Sequence, residues 1–204
     1  MQTEISEKEL TNLVIKQLEN FFIINKAEYK KYIYECIHRT LKKLEKSFKV
    51  SANKYYKKNN EAFFSPYHSG QYAIFLFYLA SLLHQNRKIE IATQVYYLNK
   101  IMNSVDWYFE LNLPDIFGVE HPLGSVMGRA RYSDYFFFYQ GCTVGGNKGK
   151  YPTIGKNVTM FSNSSILGES YVGEHVVIST GTLIKDENIP DYSLVFGQSP
   201  ELII

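Results

Sequence analysis

His121 stands in the segment VEHPLGSVMGRA, with Glu120 beside it and Asp106 fifteen residues earlier. An imidazole steadied by a carboxylate can take a proton from a hydroxyl, the acid fixing the ring tautomer and stabilising the imidazolium that forms. Farther along, Gly145 and Gly146 open the stretch GGNKGKYP, and their backbone amides are candidate donors to an oxyanion. Base, orienting acid and oxyanion donors together suit acyl transfer to a hydroxyl by direct attack on a thioester carbonyl. No acyl-enzyme is needed, so Cys142 reads as a packed side chain on a strand rather than a nucleophile.

Those residues need a scaffold, and the second half of the chain supplies one. Ile154, Met160, Ile166, Val172, Ile178 and Ile184 follow one another at a constant interval of six. A six-residue repeat describes a solenoid in which one short strand and its turn make a face, three faces make a coil, and each repeat residue points into a shared apolar stack. The frame extends upstream through Val126, Tyr132, Phe138 and Val144, where aromatics are unusually bulky for a coil interior. Between Val144 and Ile154 the interval is ten, so four extra residues leave the solenoid within GGNKGKYP, the position expected of a functional loop. In such a solenoid, Asp106 comes close to His121 one layer away.

The first hundred residues follow a different period. Leu10, Leu13, Val14, Leu18, Phe21 and Phe22 form one helical stripe, and Tyr29, Ile33, Ile37, Leu41, Leu44 and Phe48 form a second. Lys57-Lys58-Asn59-Asn60 reads as a solvated connection, and residues 65–105 as a third helix or a pair. The expected organisation is α+β: an α-helical domain over residues 1–105, then a parallel β-helix over residues 106–204.

Composition narrows the function classes. Twenty-two Lys and Arg against twenty Asp and Glu leave a formal +2, so no global field favours nucleic acid or an anionic membrane. The most apolar run, residues 72–83, is too short to span a bilayer and reads as a buried helix. The N-terminus, MQTEISEKEL, lacks the basic and apolar segments of a secretory signal, and a cytoplasmic location is expected. Of five histidines only His121 and His175 lie in the repeat half. Metal-dependent hydration of carbon dioxide, which needs about three histidine ligands, is therefore disfavoured and no metal is expected. An inert scaffold is the remaining alternative.

His121-Pro-Leu-Gly with Met127-Gly128 resembles the catalytic His-Ala-Thr-Gly stretch of the serine acetyltransferase family of hexapeptide-repeat acyltransferases. Residues 140–146, QGCTVGG, are similar to that family's Gln-Gly-Val-Thr-Leu-Gly-Gly run. Ile166-Leu-Gly168 matches its Ile-Leu-Gly, and Phe196-Gly-Gln-Ser-Pro200 resembles its closing segment. The likeness reaches back to His68-Ser-Gly-Gln and covers roughly residues 65–204. It implies a left-handed β-helix, acetyl-CoA as donor, a homotrimer or a hexamer built from trimers, and active sites between subunits. By position it implies Asp106 and His121 as the catalytic pair, with Gly145, Gly146, Ser162 and Thr180 lining the CoA groove.

The departures concern the acceptor. Where serine-specific members carry Arg-His-Pro this chain has Lys150-Tyr151-Pro152, and Glu120-His121 replaces their Asp-His. A lysine does not reproduce the two-point grip of an arginine on a carboxylate. Tyr151 and the aromatic run 132–139 would suit a pyranose face. On the sequence, a sugar or saccharide hydroxyl is the preferred acceptor, with Glu120, Lys150 and Tyr151 holding it, and serine is the alternative.

Overall fold

Ser6 and Glu9 start the first helix, α1 (Glu7–Phe21), as a capping box: the Ser6 hydroxyl accepts the Glu9 amide and the Glu9 carboxylate accepts the Ser6 amide at 2.9 Å. Leu10, Val14 and Leu18 of the first stripe are buried, while Phe21 at the fraying end is exposed. Asn25 caps α2 (Lys26–Val50), which buries the whole second stripe. Lys57–Lys58 does not form a loose connection. It pairs antiparallel with Glu61–Phe64 around Asn59 and Asn60, whose φ values of 54° and 62° make the two-residue turn that matches strand twist. The apolar run of residues 72–83 lies within α3 (Ser69–Gln85), and α4 is Ile89–Asn103. No helix is long and apolar enough to cross a membrane.

The computed structural model describes residues 1–204, in two units, Met1–Asn103 and Ser104–Ile204. The second unit is a left-handed parallel β-helix of about five turns. Its first face stacks Asp106–Trp107, Val126–Met127, Thr143–Gly145, Ser165–Leu167 and Leu183–Lys185. The second stacks Arg131–Tyr132, Thr153–Ile154, Tyr171–Val172 and Asn188–Ile189. The third stacks Phe117–Val119, Phe136–Phe138, Thr159–Met160 and Val177–Ile178, and Leu194–Gln198 continues it.

All six repeat positions from Ile154 to Ile184 are fully buried, as the interval requires. Upstream the frame holds at Phe138 and Val144, which have no exposure, and at Tyr132, whose register partner is Ile154. It slips at Val126, which is 40 % exposed; Met127 faces inward instead, paired in register with Val144. The cause is a short corner of five positions from Met127 to Tyr132, closed by Gly128, where a Cβ would stand 2.7 Å from the Val144 carbonyl oxygen.

The aromatics upstream fill the first coils. Trp107 packs edge-on against Phe138 at 5.4 Å between ring centroids, Phe136 lies 5.3 Å from Phe138, and Phe117 stacks parallel to Phe138 at 6.4 Å. Along the run Phe136-Phe137-Phe138-Tyr139 the strand alternation turns Phe136 and Phe138 inward and leaves Phe137 and Tyr139 half-buried on the outside.

Candidate active site

His121 occupies an irregularity of the solenoid. Eight positions separate the inward residues Val119 and Met127 across the third-to-first-face corner, against six from Phe138 to Val144, Met160 to Ile166 and Ile178 to Ile184. The ladder on either side stays intact, with the Glu120 amide donating to the Phe138 carbonyl and the Gly141 amide to the Leu123 carbonyl. The two extra residues therefore bulge outward. His121 is exposed, has φ 49°, and its imidazole makes no hydrogen bond within the chain.

Asp106 lies in register with Val126 on the outward row of the first face, and its amide donates to the Ser125 carbonyl. Asp106 thus opens the coil whose last corner carries His121, and it lies under Val126 of the strand that follows the bulge; the two side chains are not bonded to each other. Glu120 is engaged by Tyr139 from the next coil, whose hydroxyl donates to its carboxylate. Burial first, and then the Glu120 charge, push the Tyr139 hydroxyl above its ordinary pKa.

Below the bulge runs a column at the same corner. Carbonyls of Leu123, Gln140 and Ser162 accept from the amides of Gly141, Asn163 and Gly181 in successive coils, and Thr180 continues the row. Ser162 and Thr180 therefore line one edge that starts at the His121 bulge. Gln140, absent from the sequence-based site, has a buried amide oxygen with no partner, leaving an acceptor at the foot of the bulge. Its sequence signal is its place at the start of the QGCTVGG run of residues 140–146. Cys142 is fully buried, with its thiol against the Phe161 carbonyl at 3.2 Å; Ser125, Ser164 and Thr182 occupy the same corner in other coils, and it is a packed corner residue.

Gly145 and Gly146 stand at the other end of the first face, where the four extra residues form a tight hairpin. Asn147 and Lys150 exchange both backbone hydrogen bonds, 3.0 and 2.9 Å, around Lys148 and Gly149 with φ 49° and 77°. Gly146 is required there because a Cβ would lie 2.7 Å from the Tyr151 ring. Lys150 pairs with Glu169 at 3.0 Å, and with Tyr151 it borders an open cleft of about 400 Å³ that also takes in Arg129 and Arg131. The arginines were not singled out from sequence; their Arg-Ala-Arg spacing across a corner carries no signal until the hairpin is placed beside it. Within one chain, then, His121, Ser162 and Thr180 share one corner, and Gly145, Gly146, Lys150 and Tyr151 share the next. No group of three or more His, Cys, Asp or Glu side chains is arranged to hold a metal ion.

Asp186 ties the hairpin down by accepting from the Glu169 amide at 2.8 Å and the Asn147 side chain at 3.0 Å. The Glu169 amide first, and Asn147 second, hold its carboxyl below the usual range. A depressed folded value means that the tether contributes fully above the ordinary carboxylate pKa, near 4, and is lost as pH falls through the depressed value. Asp186 has φ 56°, which asparagine tolerates. Urea midpoints of wild type and Asp186→Asn are expected to differ most at neutral pH and to converge as pH falls below the ordinary carboxylate range.

No family model matches the sequence. A serine acetyltransferase of Staphylococcus epidermidis is 27 % identical over 135 residues, covering 64 % of this chain and 63 % of the relative. One from Synechococcus elongatus is 30 % identical over 124 residues, 58 % of this chain and 50 % of the relative. The chain thus spans less than two thirds of the curated relatives it matches. Among solved structures, Neisseria gonorrhoeae serine acetyltransferase superposes with a TM-score of 0.78 at 18 % identity, covering 98 % of this chain and 80 % of that one. A serine acetyltransferase in complex with CoA gives 0.73 at 19 % identity, covering 95 % of this chain and 83 % of that one. In sequence over about three fifths of its length, and in fold over nearly all of it, this chain is similar to the serine acetyltransferases.

Proposed function

We propose that the chain is an acetyl-CoA-dependent O-acetyltransferase whose acceptor is the serine hydroxyl. The observation that carries the reading is the His121 bulge, an exposed imidazole lifted out of a regular ladder at the head of the Gln140, Ser162 and Thr180 column. His121 takes the acceptor proton as the hydroxyl oxygen attacks the thioester carbonyl. The tetrahedral intermediate then collapses, the carbon–sulfur bond breaks, and the imidazolium returns the proton to the departing CoA thiolate. Asp106, beneath the strand that follows the bulge, orients and stabilises the imidazolium once the ring turns toward it, a hydrogen bond of the kind that forms only in the substrate complex. Pantetheine runs along the corner past Ser162 and Thr180, and the Gly145 and Gly146 amides serve the oxyanion.

His121 and those glycines lie at opposite ends of the first face, so a complete site calls for a neighbouring copy. A homotrimer, or two trimers as a hexamer, brings the His121 corner of one copy against the first face of the next.

The preference for a sugar acceptor gives way to serine. That preference rested on the aromatics of residues 132–139, but Phe136 and Phe138 are fully buried and Tyr132 turns its ring inward, its hydroxyl donating to the Gly128 carbonyl at 2.7 Å. Three rings of that run are therefore committed to the coil interior, and the relatives named above are serine enzymes. Thiol release from acetyl-CoA, measured with L-serine and with a panel of monosaccharides and nucleotide sugars, tests the assignment. Release is expected with L-serine alone; turnover confined to a sugar would overturn it.

A further inference from the structure

The cleft at the first-to-second-face corner has an unusual charge balance. Arg129, Arg131 and Lys150 all line it, and no carboxylate does. Lys150 has an exposed partner in Glu169 just outside, a weak pairing in water. Arg129 and Arg131 have no ion pair at all. Arg131 occupies the outward row of the second face, where its register neighbours in the following coils are Thr153 and Tyr171, so the row supplies no countercharge either.

The backbone holds these groups in place. The Arg131 amide donates to the Pro152 carbonyl at 2.9 Å, joining the arginine strand to the base of the hairpin. The hairpin is closed by its two cross-strand bonds, Asn147 is tied to Asp186, and the Tyr151 ring packs on Gly146. A concavity with fixed walls and like charges raises a positive potential that only an anion relieves, and two guanidinium groups offer planar two-point contacts to carboxylate or phosphate oxygens.

We infer that the cleft bordered by Arg129, Arg131, Lys150 and Tyr151 is an anion-binding subsite, taking a carboxylate or phosphate group of a ligand. Two sources carry that chemistry if the function proposed above holds: the carboxylate of an amino acid acceptor and the phosphates of CoA. Arg129 and Arg131 would then supply the guanidinium grip that Lys150, at the position of the expected arginine, does not.

The decisive experiment uses inorganic phosphate on the full chain and needs no turnover. Thermal unfolding of wild type and of R129Q/R131Q is followed in phosphate and in chloride at matched ionic strength. Phosphate is expected to raise the wild-type midpoint above that in chloride and to leave the double variant unmoved, the two proteins melting alike in chloride. An R129K/R131K variant, which keeps the charge, controls for loss of packing and is expected to retain part of the phosphate effect. A phosphate effect that is absent from wild type, or equal in wild type and R129Q/R131Q, overturns the subsite. Two further readouts assign the source. A roughly tenfold rise in KM for L-serine with kcat within twofold points to the acceptor carboxylate, and a roughly tenfold loss of CoA affinity by calorimetry points to the donor phosphates, tenfold corresponding to about 1.4 kcal/mol. If no acceptor is acetylated while phosphate protection persists, the proposed function falls and the subsite stands.

Discussion

Replacing His121 with alanine is expected to lower kcat by roughly a thousandfold, within the 10²–10⁴ range of a lost general base, while CoA affinity stays within about twofold. The separation of the two effects follows from where the residue sits. His121 is exposed on a two-residue bulge, outside the ladders that join its coil to the next, and its ring bonds to nothing in the chain. Removing it empties no cavity and breaks no hydrogen bond. One secondary cost is backbone strain, because at φ 49° alanine is held in the left-handed region at about 1 kcal/mol. His121→Asn avoids that cost, since asparagine tolerates the conformation, and it offers no base. Both variants should melt near the wild-type temperature, bind CoA, and fail to turn over. If His121→Asn keeps more than about a tenth of wild-type kcat, the imidazole is not the base.

His121 was singled out in the sequence by Glu120 beside it, by Asp106 and by a family resemblance, whereas the hairpin was singled out by spacing. A six-residue repeat makes any departure visible, and here the departures are local. The second-to-third-face corners all take six positions, from Tyr132 to Phe138, Ile154 to Phe-stacked Met160, Val172 to Ile178 and Ile189 to Val195. The first-to-second-face corners vary, with the ten-position hairpin beside Lys150 and Tyr151, and one third-to-first-face corner is long, at His121. A break in the interval therefore marked only the hairpin half of the candidate site, and the long corner at His121 emerges only once Val119 and Met127 are seen to face inward. The converse misled at Val126, where two irregular corners flank one strand and the extrapolated frame slipped by one residue.

Other features were beyond the reach of spacing. The run Tyr132 to Tyr139 shows only that aromatics are dense; which of them face in depends on strand register, and that is fixed by pairing Phe138 with Met160 and Val119 across coils. A sugar-binding face was a fair reading of the composition, but Phe136 and Phe138 of that run are spent on the core. Arg129 and Arg131 were invisible for a related reason. Two exposed arginines mean little along a chain and acquire meaning only when a hairpin about twenty residues later is laid against their corner. In the helical half, Asn59 and Asn60 looked like solvated linker, yet their shared left-handed backbone is what turns Lys57–Lys58 back onto Glu61–Phe64.

Phe138→Ala is expected to be the most damaging single core substitution in the solenoid, at about 3–5 kcal/mol. The first coil is incomplete: no second-face strand lies between Trp107 and Phe117, so the stack would end in an open apolar hole. Trp107, Phe117 and Phe136 converge on Phe138 to close it. Stacked repeats depend on their neighbours, and here Phe136 and Phe138 of the second coil reach Trp107 and Phe117 of the first to fill what the missing strand leaves open. Truncating the ring leaves a cavity and removes three aromatic pairs, each worth about 0.5–1.5 kcal/mol beyond the buried area. Phe137→Ala is the control, since Phe137 lies on the outer row over Gly118, and it is expected to cost about 1 kcal/mol. Equal urea midpoints for the two variants would show that the aromatic cluster does not close the stack. The same substitution reaches the site, because the Phe138 carbonyl accepts the Glu120 amide immediately before the bulge. A loosened contact between the first two coils lets the His121 corner wander, so Phe138→Ala should lose kcat at temperatures where its circular dichroism is still native, a loss that Phe137→Ala should not share.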